Sequence, residues 1–272
     1  MDYKSIVDDI VWWIPFKRLR NAVRNYLIVK NIQYTSIIEH LENIVNHNNF
    51  TMQLQMHPKH ILSKYAAKEA ALYIKENADT AILFENRFEL LEYSLKILNE
   101  QFKEKLNDYL FLEFGVFKGE SINFCSSILK DTEFYGFDSF EGLPEDWYGW
   151  SMTKSAFTLN GNIPFNKNNN INFIKGYFND TIEVFLKNHK EYILFIHIDC
   201  DLYSSTKTIF DNIWDRIVEG TIIVFDEYFN YPNWKNHEYK AFKELCNMHN
   251  IEYKYIGFSY NQAAVQITKI YK

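Results

Sequence analysis

The fold is decided by the stretch Tyr109-Leu-Phe-Leu-Glu-Phe-Gly-Val-Phe-Lys-Gly-Glu-Ser121. It begins as a short apolar run that ends at Glu113 and continues through a turn that contains Gly115 and Gly119. Apolar residues then recur at helical spacing as far as Leu129. A buried strand followed by a helix is the repeating unit of parallel α/β sheets. The stretch therefore predicts one such unit.

The same unit recurs along the rest of the chain. Strands are predicted at 109–113, 134–137, 171–174, 192–198, 220–225, 252–256 and 264–268, and helices at 84–104, 119–129, 180–188, 204–217 and 236–248. Asp180 or Thr181 is expected to cap the third of these helices. The last two strands are joined too tightly for a crossover helix, so one of them should run antiparallel. The prediction is an α/β fold with a doubly wound, mostly parallel, seven-stranded sheet and an N-terminal helical extension.

Composition limits the classes of function. The chain has 272 residues, 47% of them hydrophobic and 24% charged, which suits one sizeable domain with an appendage. With 29 basic and 35 acidic residues its net charge is −6, which argues against nucleic acid as a partner. The three cysteines are too scattered for a disulfide framework or a zinc site. No apolar run reaches membrane-spanning length and the N-terminus lacks the pattern of a signal peptide, so a cytoplasmic location is expected.

The division we predict is an extension over residues 1–60 and a main domain over residues 61–272. Residues 10–30 contain five basic residues, no acidic residue and the pair Trp12 and Trp13. We favour a helix that packs on its own domain or on a second subunit, which would make a homodimer. The alternative is peripheral contact with an anionic membrane, at its inner face.

Acidic residues follow four of the first five predicted strands. Because the carboxyl ends of parallel strands form the ligand-binding edge of such a sheet, these side chains should converge. Converging carboxylates repel one another unless a cation or hydrogen-bond donors neutralise them. Ribose hydroxyls and an amino group of a cofactor, or a divalent metal, would do so. The acids are Glu113, Asp138, Asp199, Asp201, Asp226 and Glu227.

The turn after the first predicted strand limits the cofactor. It contains neither the dinucleotide motif G-x-G-x-x-G nor a phosphate-binding P-loop. Val116 and Phe117 place bulk where a pyrophosphate would need close approach to the backbone. An adenosine joined to an amino acid, without phosphates, fits better, and that describes S-adenosylmethionine.

The acids after the fourth and fifth strands suit a metal. Asp199 and Asp201 are two apart in what looks like an extended segment, so both side chains can point to one side. Together with Asp226 and Glu227 they offer the oxygen ligands that Mg²⁺ prefers. His197 lies inside the apolar strand, where a hydrogen-bonded core histidine is favoured over a catalytic base.

A long segment at about 143–170 separates the second and third predicted strands. Loops of this length in compact domains are usually lids or binding insertions. Trp147, Tyr148 and Trp150 could stack on a sugar or an aglycone. The alternative is a disordered Asn-rich surface loop, above all at 166–170.

Five motifs in order resemble the macrocin O-methyltransferase family: Glu113-Phe-Gly-Val-Phe-Lys-Gly119, Phe137-Asp-Ser-Phe-Glu-Gly-Leu-Pro144, Gly176-Tyr-Phe-Asn-Asp-Thr181, His197-Ile-Asp-Cys-Asp-Leu-Tyr-Ser-Ser-Thr206 and Val224-Phe-Asp-Glu-Tyr228. The members are class I S-adenosylmethionine-dependent enzymes with a Rossmann-like fold. They methylate sugar hydroxyls in macrolide and aminocoumarin antibiotics, with relatives in bacterial surface-glycan clusters. The resemblance spans about residues 87–239. The family commonly has two Asp at the position of Asp226-Glu227 and Trp-Arg at Phe117-Lys118.

The resemblance implies a role for each site residue. The methionine end of the cofactor would be held by Glu113, Gly115 and Ser121, the ribose by Asp138, and the adenine near Phe178. The cofactor contacts are completed by Val116, Ser139 and Asp199. Mg²⁺ would be held by Asp199, Asp226 and Glu227, and Asp201 would be the general base.

The expected reaction is methyl transfer to a sugar hydroxyl of a bacterial glycan, as in polysaccharide biosynthesis, or of a glycosylated metabolite. Mg²⁺ would chelate two neighbouring hydroxyls of the acceptor and Asp201 would take a proton. Three alternatives stay open from the sequence. They are a catechol, phosphate or phosphoramidate acceptor, a non-catalytic cofactor-binding scaffold subunit, and a metal-dependent hydrolase.

Overall fold

The computed structural model describes residues 3–148 and 152–271, apart from the side chains of residues 47–55. The chain divides into two compact units between Ile61 and Leu62. The first unit is helical and contains α1 (Tyr3–Val11) and α2 (Lys17–Met56). These helices pack together around a small core of Val7, Val11 and Ile14, against Val23, Leu27 and Ile28. Among the described residues, no helix has both the length and the hydropathy of a membrane span.

The second unit is built on one sheet with helices on both faces. Its strands are β1 (Ile82–Leu83), β2 (Tyr109–Phe114), β3 (Phe134–Asp138), β4 (Ile171–Lys175), β5 (Tyr192–Ile198), β6 (Ile217–Phe225), β7 (Ile251–Phe258) and β8 (Ala263–Ile270). Its helices are α3 (Pro58–Asn77), α4 (Arg87–Phe102), α5 (Glu120–Ile128), α6 (Phe178–Asn188), α7 (Tyr203–Ile213) and α8 (Glu238–His249), α3 beginning just before the division at Ile61. Short 3-10 helices occur at Lys103–Asp108, Trp214–Arg216 and Trp234–Asn236.

The strand order is β1-β7-β8-β6-β5-β2-β3-β4. All neighbouring pairs are parallel except those of β8, which runs antiparallel to both β6 and β7. The predicted fold class, with one antiparallel strand at the end of the chain, is confirmed. Within the described residues the sheet has eight strands instead of the predicted seven. Ile82 and Leu83 add the eighth by pairing with Gly257 and Phe258, and two residues are too few for a strand pattern to show.

Two apolar layers cover the sheet. On one face, α4 and α5 pack Leu91, Leu95 and Ile122 against the strands, and on the other face α6, α7 and α8 contribute residues such as Phe210 and Phe242. The strands buried between these layers are near-continuous apolar runs, as expected for a parallel sheet covered on both sides. This three-layer arrangement leaves the carboxyl ends of the strands as an open edge.

Three predicted helix boundaries are corrected. α4 begins at Arg87 instead of residue 84 because Asn86 caps it, its side chain accepting hydrogen bonds from the N–H groups of Phe88 and Glu89. α6 begins at Phe178, so Asp180 and Thr181 lie inside the helix and neither is its cap. α7 ends at Ile213, since Ile217 already belongs to β6.

Candidate active site

A cavity of about 560 Å³ opens at the carboxyl ends of β2, β3, β5 and β6. Ten of the eleven site residues predicted from the sequence line it: Gly115, Val116, Ser121, Asp138, Ser139, Phe178, Asp199, Asp201, Asp226 and Glu227. Glu113 does not. Backbone hydrogen bonds join the ends of neighbouring strands here. The N–H of Asp199 donates to the carbonyl of Phe114, and the N–H of Asp226 donates to the carbonyl of Ile198.

The turn after β2 approaches the end of β5 very closely. Gly115 has φ +91°, and a Cβ atom there would lie 1.6 Å from the carbonyl oxygen of Asp199. The N–H groups of Val116 and Phe117 both donate to Oδ2 of Asp138, at 2.8 Å. The turn is therefore held by hydrogen bonds to β3 and can exist only with glycine at its first position.

Asp138 ends β3 and lines the cavity beside this turn. Its second oxygen, Oδ1, accepts the N–H of Phe140 at 2.7 Å. The carboxylate thus fixes two loops of the site. Ser139 follows it along the cavity wall, and its hydroxyl accepts the N–H of Glu141 at 3.1 Å.

Glu113 lies behind the turn and is 2% exposed. It accepts a hydrogen bond from the hydroxyl of Ser121 at 2.9 Å, and its other oxygen lies 2.8 Å from Nδ1 of His197. Both partners are buried, so Glu113 positions Ser121, which itself lines the cavity. His197 is the hydrogen-bonded core histidine that the sequence predicted. Contact of Glu113 with a methionine end stays a prediction.

Four carboxylates form an acidic cluster at the cavity wall, which we define as Asp199, Asp201, Asp226 and Glu227. Candidate ligand atoms of Asp199, Asp201 and Glu227 lie within 4.8 Å of one another, as do those of His197, Asp199 and Asp226. Burial raises the pKa values of Asp199 and Glu227 well above their usual range, and the neighbouring carboxylates raise them further.

The cluster suits a hard cation. Within the described part of the chain, Oδ1 of Asp226 and Oε2 of Glu227 are buried without a hydrogen-bond partner. Buried carboxylate oxygens are costly unless they are paired or coordinate a metal. A set of carboxylate oxygens is the donor chemistry of Mg²⁺, so the residues present fit that ion.

Asp201 has an unusual backbone. The sequence suggests an extended segment through Asp199 and Asp201, but β5 ends at Ile198 and Asp201 has φ +65°, in the left-handed region. This conformation, which Asp tolerates better than most residues, brings its side chain to the other acids. Burial raises the pKa of Asp201 to about 7, with Asp226 adding to the shift and a hydrogen bond to Glu227 opposing it.

Sequence reasoning missed two charged residues of the site. Arg87 begins α4 and lines the cavity, with Nη1 3.4 Å from Oδ2 of Asp226 and 3.7 Å from Oδ2 of Asp199. Burial acts to lower the pKa of its guanidinium, but the two aspartates outweigh it and the net shift is upward. Glu238 is fully buried at the start of α8 and accepts the N–H of Glu227 at 3.2 Å. Neither stands out in the sequence, because each looks like an ordinary residue of a first helical turn.

The opposite wall of the cavity is aromatic. Phe178 begins α6 and packs edge-on against Phe114, with ring centroids 5.5 Å apart. Phe157, from the segment between β3 and β4, packs edge-on against Phe117 at 5.6 Å, and both line the cavity. Flat apolar walls of this kind suit a planar ring such as adenine.

The segment predicted as a lid is anchored to the domain. Trp147 is 4% exposed and packs against Tyr231 and His237, whereas Tyr148 is 73% exposed. Of the three predicted stacking aromatics, Tyr148 therefore remains accessible, and Trp150 lies outside the described residues. Leu143, Pro144 and Phe157 bring the segment to the cavity wall.

The Asn-rich end of this segment is ordered, so the alternative of a disordered loop at 166–170 is wrong. The side-chain amide of Asn170 lies within hydrogen-bonding distance of the carbonyls of Ser126, Leu129 and Thr132, at 3.2, 3.0 and 2.8 Å. Asn168 donates to Asn123 and Ser126. The amide of Asn170 thus reaches carbonyl groups at the end of α5 and in the loop that follows it.

Residues 112–228 match a family model described as a methyltransferase domain. This stretch is therefore similar to a methyltransferase domain. The fold of the chain is similar to that of the O-methyltransferase NovP (20% identity, 67% of this chain and 80% of NovP covered, TM-score 0.50). It is also similar to CalS11, a calicheamicin methyltransferase (17% identity, 77% and 93% covered, TM-score 0.53). No curated protein sequence matches the chain.

The family match supports the prediction of a methyltransferase, and the two structures show that the chain has a fold found in O-methyltransferases. The match is to this broad class and does not single out the macrocin enzymes. The matched residues begin within β2 and end just after β6, so they include the carboxyl ends of the strands that form the cavity.

Proposed function

We propose that the methyltransferase domain transfers a methyl group from S-adenosylmethionine to a sugar hydroxyl of a bacterial glycan or glycosylated metabolite, with Mg²⁺ bound at the acidic cluster. The observation that carries the proposal is the position of this cluster. Its four carboxylates face the same cavity as the glycine turn and the aromatic wall. Cofactor, metal and acceptor would therefore meet in one space.

The cofactor would lie along the cavity. In this proposal the methionine end lies beside Gly115 and Ser121, the ribose beside Asp138 and Ser139, and the adenine against Phe178. Asp138 already accepts three N–H groups, two at Oδ2 and one at Oδ1, so Oδ1 keeps a second lone pair with which to accept a ribose hydroxyl.

The metal would be held by Asp199, Asp226 and Glu227. Bound there, Mg²⁺ would supply a Lewis acid that lowers the pKa of an acceptor hydroxyl. Asp201, beside these residues, accepts the proton of that hydroxyl as the general base. The hydroxyl oxygen forms a bond to the methyl carbon while the carbon–sulfur bond breaks, and S-adenosylhomocysteine leaves.

The sugar acceptor is supported by fold similarity and by the shape of the site. CalS11 is a TDP-rhamnose 3'-O-methyltransferase, and its fold resembles that of this chain. A metal that chelates two neighbouring hydroxyls suits a sugar diol. We place the reaction in the cytoplasm, where the three free, buried cysteines would stay reduced.

Two measurements test the proposal in sequence. Calorimetric titration with S-adenosylhomocysteine should show saturable binding and titration with NAD⁺ none; the reverse result would remove the basis of the cofactor site. Methyl transfer from labelled S-adenosylmethionine is then measured with nucleotide-linked sugars and with catechol, with Mg²⁺ or with EDTA. Transfer to a sugar that EDTA abolishes supports the proposal, whereas transfer to catechol alone would replace the acceptor, and EDTA-resistant transfer would exclude the metal.

A further inference from the structure

The turn between α1 and α2 exposes three large aromatic side chains. Trp12 is 71% exposed, Trp13 is 69% exposed and Phe16 is 71% exposed. Lys17 and Arg18 follow directly and are also exposed. We call these five residues the aromatic tip. Exposed clusters of large apolar side chains are uncommon on soluble proteins and mark surfaces that bind something.

The first unit is built so that this surface stays exposed. Val7, Val11 and Ile14 fill the core between the two helices. The guanidinium of Arg20 lies within hydrogen-bonding distance of the carbonyl of Ile14 through two nitrogens, Nε at 2.9 Å and Nη2 at 2.7 Å, which ties the turn to α2. Arg24 pairs with Asp8 across the hairpin. The apolar residues of the turn are thus divided between an inward-facing Ile14 and the outward-facing aromatics.

The charge at this turn is opposite to that of the chain. Residues 10–30 contain five basic residues and no acidic one, a charge of +5, whereas the whole chain has a net charge of −6. Tryptophan is enriched at the membrane–water interface, where its ring is half apolar and half hydrated. Lysine and arginine beside such rings attract anionic headgroups.

We propose that the aromatic tip binds the surface of membranes that contain anionic phospholipid. Trp12, Trp13 and Phe16 would enter the headgroup layer, and Lys17 and Arg18 would contact the phosphates. The binding is peripheral, since none of the described helices can span a membrane.

A second copy of the chain is a less suitable occupant of the tip. A symmetric dimer would bring the two sets of Lys17 and Arg18 together, and like charges at a shared interface repel. The apolar residues of α2 that would suit a partner helix lie further along, at Ile37, Leu41 and Ile44. Self-association through these residues would leave the tip free.

Flotation of the full chain with vesicles tests the proposal. Wild type should float with vesicles of phosphatidylcholine and phosphatidylglycerol in equal parts, float poorly with phosphatidylcholine alone, and bind less as salt is raised. Trp12→Ser with Trp13→Ser, and separately Lys17→Gln with Arg18→Gln, should each reduce binding roughly tenfold or more. The matched controls are Tyr260→Ser and Lys105→Gln with Lys130→Gln, at other exposed positions, and these should bind like wild type.

Three outcomes would overturn the proposal: wild type that does not float, equal flotation with neutral vesicles, or tip variants that float like wild type. Loss of a dimer in the tip variants without loss of flotation would assign the tip to a second copy. Circular dichroism melts check that the variants fold. Quenching of tryptophan fluorescence by brominated lipid, measured on wild type, needs no variant and should be absent with neutral vesicles.

Discussion

Replacing Arg87 by methionine removes the cation that contacts the acidic cluster and keeps most of the side chain. Its guanidinium lies 3.4 Å from Asp226 and 3.7 Å from Asp199, and its side chain is 30% exposed. An ion pair at such a distance is worth about 4 kcal/mol at an effective dielectric constant of about 20. Solvent access and proton uptake by the carboxylates reduce this, so we expect the metal-free variant to lose about 1–2 kcal/mol of unfolding free energy.

The same substitution should strengthen metal binding. A guanidinium beside Asp199 and Asp226 repels a divalent cation at those oxygens, so its removal should raise Mg²⁺ affinity by roughly fivefold to thirtyfold, the equivalent of about 1–2 kcal/mol. Stability without metal and affinity for metal should therefore change in opposite directions. Thermal melts without metal and calorimetric titration with Mg²⁺ measure the two quantities on the same protein. Arg87→Lys, which keeps the charge, should fall between wild type and Arg87→Met in both.

Two results would refute this reasoning. If Arg87→Met weakens Mg²⁺ binding as well as the fold, the arginine positions the ligands instead of competing with the metal. If neither quantity changes, the contacts of Arg87 with Asp199 and Asp226 do not neutralise the cluster.

Three further predictions concern single residues. Asp201→Asn should lower turnover by about 10²- to 10⁴-fold, the usual contribution of a general base, and leave affinity for S-adenosylhomocysteine nearly unchanged. Steady-state kinetics measure the turnover and calorimetry measures the affinity. Lost binding with normal turnover of the bound complex would contradict the role of Asp201. Gly115→Ala should abolish cofactor binding in calorimetry and lower the melting temperature, because the Cβ of the alanine would overlap the carbonyl oxygen of Asp199. Unchanged cofactor binding would show that the turn can move. Asn170→Ala should cost about 1–3 kcal/mol in urea unfolding, because it removes the amide donor that the carbonyls of Ser126, Leu129 and Thr132 share. A loss below that range would indicate that water replaces the amide.

The parallel sheet and its open edge could be predicted from the sequence because apolar runs and strand-end acids are local patterns. Asp199 and Asp226 each follow a mainly apolar run, and parallel pairing of those runs brings their ends together. The eighth strand could not be predicted in this way. Ile82 and Leu83 form a strand only because the edge of β7 is available to them.

The parts of the site that escaped prediction depend on contacts between distant segments. Arg87 meets Asp226 across 139 positions in the chain, and neither residue carries a local sign of the other. Asp201 was expected to reach the cluster by strand alternation, but it does so through a left-handed backbone. The direction of Glu113 also depends on a distant residue, because His197 lies on the adjacent strand and draws the carboxylate away from the cavity.

The acidic edge concentrates buried and partly buried carboxylates at the expense of stability. Glu238 adds a fifth carboxylate next to the cluster and is itself fully buried, and burial, followed by Asp201 and Asp226, raises its pKa well above the usual range. Arg87 contacts Asp199 and Asp226 from one side, where it is partly exposed, and within the described residues Oε1 of Glu238 has no hydrogen-bond partner. A purely structural role would be served better by apolar residues of the same volume, since buried ion pairs rarely stabilise a fold more than good packing does. In the proposed function a bound cation would neutralise these carboxylates, and their unpartnered oxygens are the physical reason why we propose metal-dependent chemistry in the cavity.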